Sequence, residues 1–397
     1  MSRLEGRRVA LGVTGGIAAF KAIEVLRLLT EDGADVRVLM TPEATRFIAP
    51  LTFEALSSHP VASDWLADGR GGEAHIDLAG WGEVLAIVPA TANTLAKLAL
   101  GIADDVLTGT ALATRAPLVV APAMHDLMLS HPQTEAHLET LKEGGVYIVP
   151  PVVGRLASGR VAQGRLAAPE RVVAVIRAVL SGAYNLEGCR VVITAGGTRE
   201  PIDPVRFIGN ASSGRMGRAL ATVAASRGAE VTLVTTMPAD LEGITEVPVQ
   251  TAVEMLAALQ EVTARAHILV MAAAVSDYRV EDPAPSKLKR AQGAREIRLM
   301  PNVDVLESVG PRSGLFRVGF ALETERLVEN AKAKLDGHGL DLVVANQVSP
   351  SVGIGSDDNA VTILGPNGVV DEVPRAPKPE VAERIWDAIT ATRGRRA

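Results

Sequence analysis

Residues 9–21, VALGVTGGIAAFK, decide how the chain begins to fold. A short apolar run leads into a turn with two adjacent glycines, and the segment after the turn repeats its apolar residues at the spacing of one helix face. Strand, glycine turn and helix in this order are typical of an α/β unit, and the backbone N–H groups at such a helix start can bind an anion. We therefore predict a strand at residues 7–13 and a helix at residues 16–32.

A second stretch, GNASSGRMGRAL at residues 209–220, has the same character. Asparagine, serines and glycines precede another amphipathic pattern, so a second anion site at a helix start is one interpretation. Asparagine and serine are also common helix caps, which leaves a purely structural role open for these residues.

Near-continuous apolar runs alternate with helical patterns along both halves of the chain, as in EVLAIVPAT, APLVVAPAM and AEVTLVTT. Such runs indicate parallel strands that are buried on both faces of a sheet. The pattern breaks near residues 181–189 and then begins again. We predict an α/β protein with two doubly wound (Rossmann/flavodoxin-like) domains and mainly parallel sheets, at residues 1–186 and 187–397.

Composition excludes several classes of function. The chain has 397 residues and a formal net charge of −6, which argues against nucleic acid as a partner. Its single cysteine, Cys189, cannot form an intramolecular disulfide and fits a reducing cytoplasm. No apolar run reaches the roughly 18 residues of a membrane span, and residues 14–16 interrupt the first one, unlike a signal peptide. We expect a cytoplasmic protein without a membrane partner.

In open α/β sheets, ligands bind where the strands end at their carboxyl edge. The loops that follow the predicted strands therefore hold the candidate functional residues. In the first half they are Thr14 to Lys21, Thr41, PATANT (89–94) and PAMHDLM (122–128), and in the second half AGGTREPID (195–203), NASSGRMG (210–217), AAAVSDY (272–278), GFALETE (319–325) and ANQVS (345–349).

Taken in order, these loops resemble a bifunctional family of coenzyme A biosynthesis. In that family a phosphopantothenoylcysteine decarboxylase is fused to a phosphopantothenate–cysteine ligase. The resemblance covers residues 5–390 and is carried by GVTGGIAAFK, PATANTLAKLALGIADD, PAM, TAGGTREPIDPVRFIGNASSGRMG, MAAAVSDYR, KLK, GFALETE and GSDDNAV. It implies a decarboxylase domain at 1–186 and a ligase domain at 187–397.

For the ligase, the resemblance implies that CTP and Mg²⁺ activate 4′-phosphopantothenate as an acyl-cytidylate, from which cysteine displaces CMP. Asn210 matches the catalytic position, and Asp277 is also the expected metal ligand. The substrate- and CTP-binding positions are Ser212, Ser213, Gly214, Asp277, Lys289, Val303, Asp304, Val305, Leu306, Phe320, Lys334 and His338. His338 stands where the family has a second lysine. Lys287 and Arg290 flank Lys289 in the basic segment SKLKR, and a solvated helix face stays open for Lys334.

For the decarboxylase, the resemblance implies bound FMN and 4′-phosphopantetheine as the product. The cofactor-binding positions are Gly15, Gly16, Ile17, Thr41, Thr91 and Asn93. His75, which precedes a predicted strand, is the expected base, since histidine ordinarily titrates near pH 6.5. His125 stands where the bacterial pattern has asparagine. Ser158 stands where the family has the cysteine that protonates the enethiolate, so both residues are candidate acids.

Alternative functions remain open at this point. One alternative is an active ligase half beside an impaired or altered flavoprotein half, and another is a flavin-binding regulatory protein. An NAD-dependent oxidoreductase is disfavoured, because neither glycine turn has the G-x-G-x-x-G pattern followed by a ribose-binding acid. The resemblance also implies a homo-oligomer, trimeric through the flavin domain and dimeric through the ligase domain.

Overall fold

The computed structural model describes residues 4–65, 73–289, 296–323, 326–347 and 356–394. The chain divides into two compact units, Met1–Tyr184 and Asn185–Ala397. The division therefore precedes Leu186, which the sequence pattern placed in the first domain. Leu186 is fully buried in a core of the second unit, and its N–H donates to the carbonyl oxygen of Arg227 at 3.0 Å.

The first unit is a five-stranded parallel sheet with helices on both faces and a separate two-stranded hairpin. Its strands are β1 (Arg8–Val13), β2 (Asp35–Met40), β3 (Val84–Ala90), β4 (Leu118–Pro122), β5 (Tyr147–Ile148), β6 (Val152–Arg155) and β7 (Val161–Arg165). Its helices are α1 (Phe20–Glu31), α2 (Pro50–Ser57), α3 (Ala74–Trp81), α4 (Ala92–Leu100), α5 (Val106–Ala113), α6 (Asp126–Leu129), α7 (Pro132–Glu143) and α8 (Pro169–Leu180).

The strand order of this sheet is β2-β1-β3-β4-β5, which is the flavodoxin-like order. Successive residues of β3 point to opposite faces, so Val84 and Ala86 belong to one hydrophobic core and Leu85 and Ile87 to the other. Burial of both faces explains why the strand is apolar throughout. The carboxyl ends of β1 and β3 lie side by side, where the order reverses.

The second unit contains an eight-stranded sheet and two short antiparallel pairs. Its strands are β8 (Arg190–Ala195), β9 (Arg199–Pro201), β10 (Phe207–Gly209), β11 (Glu230–Thr235), β12 (Thr245–Pro248), β13 (Ile268–Met271), β14 (Tyr278–Val280), β15 (Leu299–Pro301), β16 (Phe316–Glu323), β17 (Leu342–Gln347), β18 (Asp358–Gly365) and β19 (Gly368–Pro377). Its helices are α9 (Arg215–Ser226), α10 (Ala252–Val262), α11 (Val305–Val309), α12 (Leu327–His338) and α13 (Lys378–Gly394).

The order of the large sheet is β12-β11-β8-β13-β16-β17-β18-β19. Its first six strands are parallel and have the Rossmann order, whereas β18 and β19 are antiparallel. The predicted fold class is confirmed. In both sheets the second strand along the chain pairs with the first. The third strand differs, because β3 pairs with β1 on its other side whereas β12 pairs with β11 at the edge, so the two halves are only partly alike.

Two local predictions differ from the structure. The first helix was predicted from residue 16, whereas a 3₁₀ turn at Ile17–Ala19 precedes α1. In the second unit, the antiparallel pair β9–β10 lies between β8 and α9, so the glycine turn before α9 does not follow a parallel strand directly.

Candidate active sites

The turn after β1 contains two glycines, Gly15 and Gly16, which have no side chains. A Cβ atom at Gly15 would lie 2.4 Å from the Cβ of Glu43, so only glycine fits there. Gly16 precedes the 3₁₀ turn, and no side chain caps that helical start. Ile17 is exposed. Backbone N–H groups at an open helical start of this kind suit a phosphate group.

Two threonines join the ends of β1 and β3 beneath this turn. The hydroxyl of Thr14 donates to the carbonyl oxygen of Pro89 at 2.7 Å and accepts the N–H of Thr91 at 3.2 Å. A Cβ atom at Gly16 would lie 3.5 Å from Cγ2 of Thr91. Thr91 caps α4, and Asn93 is exposed in the first turn of that helix. Three predicted cofactor positions therefore lie in one region.

Thr41 lies at the end of the neighbouring strand, β2. Its side chain is buried, its N–H donates to the carbonyl oxygen of Val13 at 3.0 Å, and its hydroxyl accepts the N–H of Ala44 at 3.2 Å. Thr41 thus fixes the loop that contacts the glycine turn. Because small residues and N–H groups converge here, the residues fit a phosphate-bearing cofactor such as FMN.

His75 lies in the first turn of α3 and not in an extended segment. Its ring meets the ring of Trp65 edge-on, with the centroids 4.8 Å apart. Gly109 leaves room for this pair, since a Cβ atom there would lie 2.4 Å from Cη2 of Trp65. The Nδ1 atom of His75 is buried and has no hydrogen-bond partner within the described ranges. One ring nitrogen of His75 therefore lacks a hydrogen-bond partner among the described residues.

His125 and Ser158 belong to segments that pack together. Nδ1 of His125 lies 2.8 Å from Oδ1 of Asp126, and Asp126 also pairs with Arg160 at 3.0 Å. Ser158 is exposed in the turn between β6 and β7. The carbonyl oxygen of Gly164 in this hairpin accepts the N–H of the residue before His125 at 3.0 Å. The hairpin thus presents Ser158 near the His125 segment.

The second unit contains a cavity of about 790 Å³ at the carboxyl edge of its sheet. Almost every predicted ligase residue lines this cavity. They are Asn210, Ser212, Ser213, Gly214, Asp277, Val303, Asp304, Val305, Leu306, Phe320, Lys334 and His338. Loops that are far apart in the sequence meet here because the strands before them are parallel neighbours.

The start of α9 opens into this cavity without a side-chain cap. Gly214 is the N-cap residue and has a φ of 68°, a left-handed conformation that favours glycine. The amide nitrogen of Asn210 donates to the carbonyl oxygen of Val275 at 3.0 Å. Ser212 accepts the N–H of Gly214 at 3.4 Å. Since Asn210 bonds elsewhere, its alternative role as a helix cap is absent from the structure.

Lys334 and His338 lie one turn apart on α12 and line the cavity. Nζ of Lys334 donates to the carbonyl oxygen of Phe320 at 2.7 Å, so Lys334 is not part of a solvated helix face. Nε2 of His338 lies 3.9 Å from a carboxylate oxygen of Asp304. Nδ1 of His338 is buried without a hydrogen-bond partner in the described part of the chain.

Lys289 is the predicted ligase residue that does not line this cavity. It is exposed, and Arg290 lies outside the described residues. The carboxylate of Asp203 accepts the N–H of Leu288 at 3.2 Å, and Arg206 donates to the carbonyl oxygen of Leu288 at 3.1 Å. Burial raises the pKa of Asp203, but backbone N–H donors and Arg206 outweigh it and lower that pKa overall. A charged Asp203 therefore anchors the segment that ends in Lys289.

The cavity is also lined by residues to which the sequence assigned no role, among them Asn346, Asn359 and Lys378. Asn346 belongs to ANQVS, a loop expected to follow a strand, and Asn359 belongs to GSDDNAV, a motif that carries the family resemblance. Lys378 begins α13, far from any motif, and nothing in the sequence marked it.

No group of three or more histidine, cysteine, aspartate or glutamate side chains is placed to hold a metal ion in the described ranges. None of the helices described combines the length and apolar character of a membrane span.

The fold and the sites define a two-unit α/β enzyme whose first unit is a flavoprotein domain. Residues 1–181 match the family model described as Flavoprotein. Residues 186–392 match the model described as DNA/pantothenate metabolism flavoprotein C-terminal domain.

The chain belongs to the family of the coenzyme A biosynthesis bifunctional protein CoaBC. It is 41% identical to the member from Bacillus subtilis (strain 168), over 98% of both chains. It is 42% identical to the member from Escherichia coli (strain K12), over 92% of both chains. The chain is thus an enzyme of coenzyme A biosynthesis with ligase and FMN-dependent decarboxylase activities, and the predicted resemblance is confirmed.

Two solved structures are similar to one unit each. The C-terminal domain of a coenzyme A biosynthesis bifunctional protein CoaBC is 38% identical over 51% of this chain and 95% of its own, with a TM-score of 0.43. The FMN-dependent cysteine decarboxylase SpaF is 37% identical over 45% of this chain and 97% of its own, with a TM-score of 0.40. Nothing in the comparisons favours a regulatory protein or an impaired decarboxylase.

Proposed function

We propose that the second unit joins cysteine to 4′-phosphopantothenate with CTP, and that the first unit converts the product to 4′-phosphopantetheine. The observation that carries the ligase assignment is the uncapped start of α9, which opens into a cavity beside Asn210 and Lys334. An acyl-cytidylate combines phosphate and carbonyl oxygens, and fixed N–H donors stabilise both kinds of oxygen.

Asn210 is the residue that we assign to the reacting acyl group. Its hydrogen bond to the carbonyl oxygen of Val275 holds the amide side chain near the N-terminal end of α9. The turn of Ser212, Ser213 and Gly214 supplies backbone N–H donors to phosphate oxygens. These donors do not depend on pH, so they remain in place while charge moves onto the departing phosphates.

Lys334 and His338 would contact the nucleotide from α12. Lys334 supplies a positive charge from a half-buried position, with Nζ held at the carbonyl oxygen of Phe320. His338 replaces a family lysine and presents a buried Nδ1 atom without a partner in the described residues. A histidine there donates one hydrogen bond where the family's lysine supplies a permanent charge.

Magnesium would enter with the nucleotide. Mg²⁺ keeps several water ligands and is usually held by one or two carboxylates together with substrate phosphates. Asp277, exposed and at the cavity wall, is the carboxylate that we assign to it. A single protein carboxylate suits an ion that is bound mainly by the triphosphate.

In the first unit, Gly15, Gly16 and Ile17 would hold the phosphate of FMN, with Thr41, Thr91 and Asn93 around it. Bound FMN supplies the two-electron oxidation and the hydride return that decarboxylation of the cysteine moiety requires. The glycine turn excludes side chains from this site, because a Cβ atom at Gly15 would overlap Glu43.

Proton movement in the first unit would rest on three side chains. His75, oriented by Trp65, removes a proton from the substrate through the free nitrogen of its ring. Ser158 and His125 are the candidate donors of the proton that completes the product. His125 is held in place as the N-cap of α6, where its Nδ1 atom accepts the N–H of Leu127 at 3.3 Å.

We also propose a homo-oligomer, trimeric through the first unit and dimeric through the second. Exposed apolar residues support contacts with other copies. In the second unit they are Val205, Phe207, Tyr278, Ile297 and Leu299, and in the first Ile17, Phe20, Phe47, Leu51, Ile76 and Leu112. The free, buried Cys189 fits a cytoplasmic location.

The test is a stepwise assay with each product identified by mass. The purified protein with 4′-phosphopantothenate, cysteine, CTP and Mg²⁺ is expected to release CMP and pyrophosphate and to form the amide. The amide is then expected to yield 4′-phosphopantetheine and carbon dioxide in protein that contains FMN. Omitting cysteine should stop CMP release. Absence of CMP with all substrates present would refute the ligase assignment.

A further inference from the structure

The cavity of the second unit is also lined by polar residues that are not among the predicted CTP-binding positions. Three of them are Asn346, Asn359 and Lys378, and we call this group of residues the Lys378 lobe. These side chains are only 8%, 3% and 6% exposed, respectively. Asn346 lies near the end of β17 and Asn359 near the start of β18. The two strands are antiparallel neighbours, which brings both residues to the same edge of the sheet.

Both asparagines retain capacity for a hydrogen bond. The Oδ1 atoms of Asn346 and Asn359 are buried and have no partner among the residues that the structure describes. The Nδ2 atom of Asn359 has a sulfur contact with Met216 at 3.9 Å. Buried amide groups are normally bonded, so two incomplete ones in the wall of one cavity point to a ligand. Rotation of an asparagine side-chain amide by 180° exchanges its oxygen and nitrogen, so each asparagine can either accept from that ligand or donate to it.

The ionisable side chain of the lobe is Lys378. Nζ of Lys378 donates to the carbonyl oxygen of Ser356, which leaves two further N–H groups of the ammonium. Burial lowers the pKa of Lys378, and so does Arg215, against the opposite effect of Asp357 and Asp358. Arg215 is the first residue of α9 and also lines the cavity. The start of this helix, which is the positive end of its dipole, therefore faces the same cavity. A bound anion would stabilise the charged form of Lys378.

We propose that the Lys378 lobe binds the polyphosphate chain of the nucleotide and holds the pyrophosphate that leaves it. This inference rests on the proposed ligase function. In that reaction a carboxylate oxygen of the acid attacks the α-phosphorus of CTP. The bond from the α-phosphorus to the bridging oxygen breaks, and pyrophosphate leaves with the electron pair. Several positive groups suit this multiply charged anion better than the single carboxylate of cysteine.

Lys378→Met is the first variant, since it keeps the buried stem and removes the charge. Its KM for CTP should rise about tenfold or more, while its KM for cysteine should stay unchanged. Arg375→Gln is the matched control, because it removes an exposed charge that pairs with Asp358 at 3.1 Å and does not line the cavity. The control should behave like the unmodified protein, and Lys378→Arg should recover part of the CTP affinity.

Titration of the full-length protein with inorganic pyrophosphate and Mg²⁺ gives a readout without turnover. The unmodified protein should bind pyrophosphate, and Lys378→Met should bind it far more weakly. Asn359→Asp adds a negative charge and should weaken binding while Lys378 is retained. Equal pyrophosphate binding by folded Lys378→Met, or a rise in KM for cysteine alone, would overturn the proposal. If the unmodified protein makes no CMP, the ligase assignment fails, while the titration still decides whether the lobe binds pyrophosphate.

Discussion

Asn210 connects two loops of the second unit through one hydrogen bond. Its amide nitrogen donates to Val275, whose loop follows β13, while its own loop precedes α9. The carbonyl oxygen of Asn210 lies so close to Gly197 that a Cβ atom there would come within 2.3 Å. The position of this amide is therefore fixed by backbone packing as well as by its own bond.

Asn210→Asp is expected to reduce ligase turnover by roughly 10²-fold or more, since a positioned donor is lost and a carboxylate faces the activated acyl phosphate. CMP release measures the loss, and circular dichroism tests the fold. Decarboxylation of supplied 4′-phosphopantothenoylcysteine should stay unchanged, because that site lies in the other unit. Near-normal CMP release from the variant would remove Asn210 from the site.

His75→Asn is expected to keep FMN but to lower decarboxylation by roughly 10²- to 10⁴-fold, the usual contribution of a positioned base. Flavin absorbance and carbon dioxide release are the two measurements. The residues proposed to hold the flavin phosphate lie on other loops, so the variant should keep the absorbance of bound flavin. A colourless, folded variant would show that His75 supports the flavin pocket instead.

Ser158→Cys is expected to raise the yield of 4′-phosphopantetheine relative to the released enethiol. A thiol with an ordinary pKa near 8.5 is a far better acid than a serine hydroxyl. Ser158 is exposed in a hairpin turn, so the substitution should not disturb packing. Mass analysis of the products gives the ratio. An unchanged ratio, with fast and complete reduction by the unmodified protein, would assign the proton to another acid, and His125→Asn would then be the variant to compare.

At the scale of elements, α9 owes its position to a close contact with β8. A Cβ atom at Gly217 would lie 2.6 Å from the Cβ of Ala195 and 2.9 Å from the carbonyl oxygen of Thr194. The first turn of α9 therefore rests directly on the end of β8. This contact sets where the N–H groups of the helix start point, so packing and anion binding depend on the same glycine.

Gly217→Ala is expected to lower the free energy of unfolding by about 1–3 kcal/mol, because the added methyl group overpacks this contact. Gly337→Ala, on α12, is the matched control, since a Cβ atom there has no neighbour within 4 Å. The control should stabilise the protein slightly, by about 0.5 kcal/mol, through helix propensity. Thermal unfolding measures both. Equal midpoints for the two variants would contradict the packing role of Gly217.

At the scale of the whole molecule, each unit has its own hydrophobic cores on the two faces of its sheet. Leu186 belongs to a core of the second unit although the sequence pattern places it before the boundary. The carbonyl oxygen of Leu186 accepts the N–H of Cys189 at 2.9 Å, which ties this short segment to the start of β8.

A chain of residues 185–397 is expected to fold and to retain ligase turnover without flavin. A chain of residues 188–397, which lacks Leu186, should be less stable by about 2–5 kcal/mol, the cost of removing a buried leucine. Urea unfolding of the two fragments gives the difference. Equal stability would show that the segment before Gly188 contributes no packing to the second unit.

The sequence by itself determined the elements, the class of fold and most of the ligase cavity. Apolar periodicity distinguishes buried parallel strands from amphipathic helices, because each residue's neighbours in such an element are set by a fixed local spacing. The loops expected after strands correctly included the cavity residues Asn210, Asp277 and Phe320, although Phe320 lies within β16 and Asn210 follows the antiparallel pair β9–β10. These predictions succeeded because parallel strands bring their following loops to one edge.

Only the tertiary structure decided which residues from distant segments complete each site. Lys378 reaches the ligase cavity because the antiparallel strands β18 and β19 return the chain to the edge of the sheet before α13 begins. Trp65 meets His75 because Gly109 on α5 leaves space for both rings. Such contacts depend on packing between elements, for which a local sequence pattern has no signal, and they determine which buried groups remain open to a ligand.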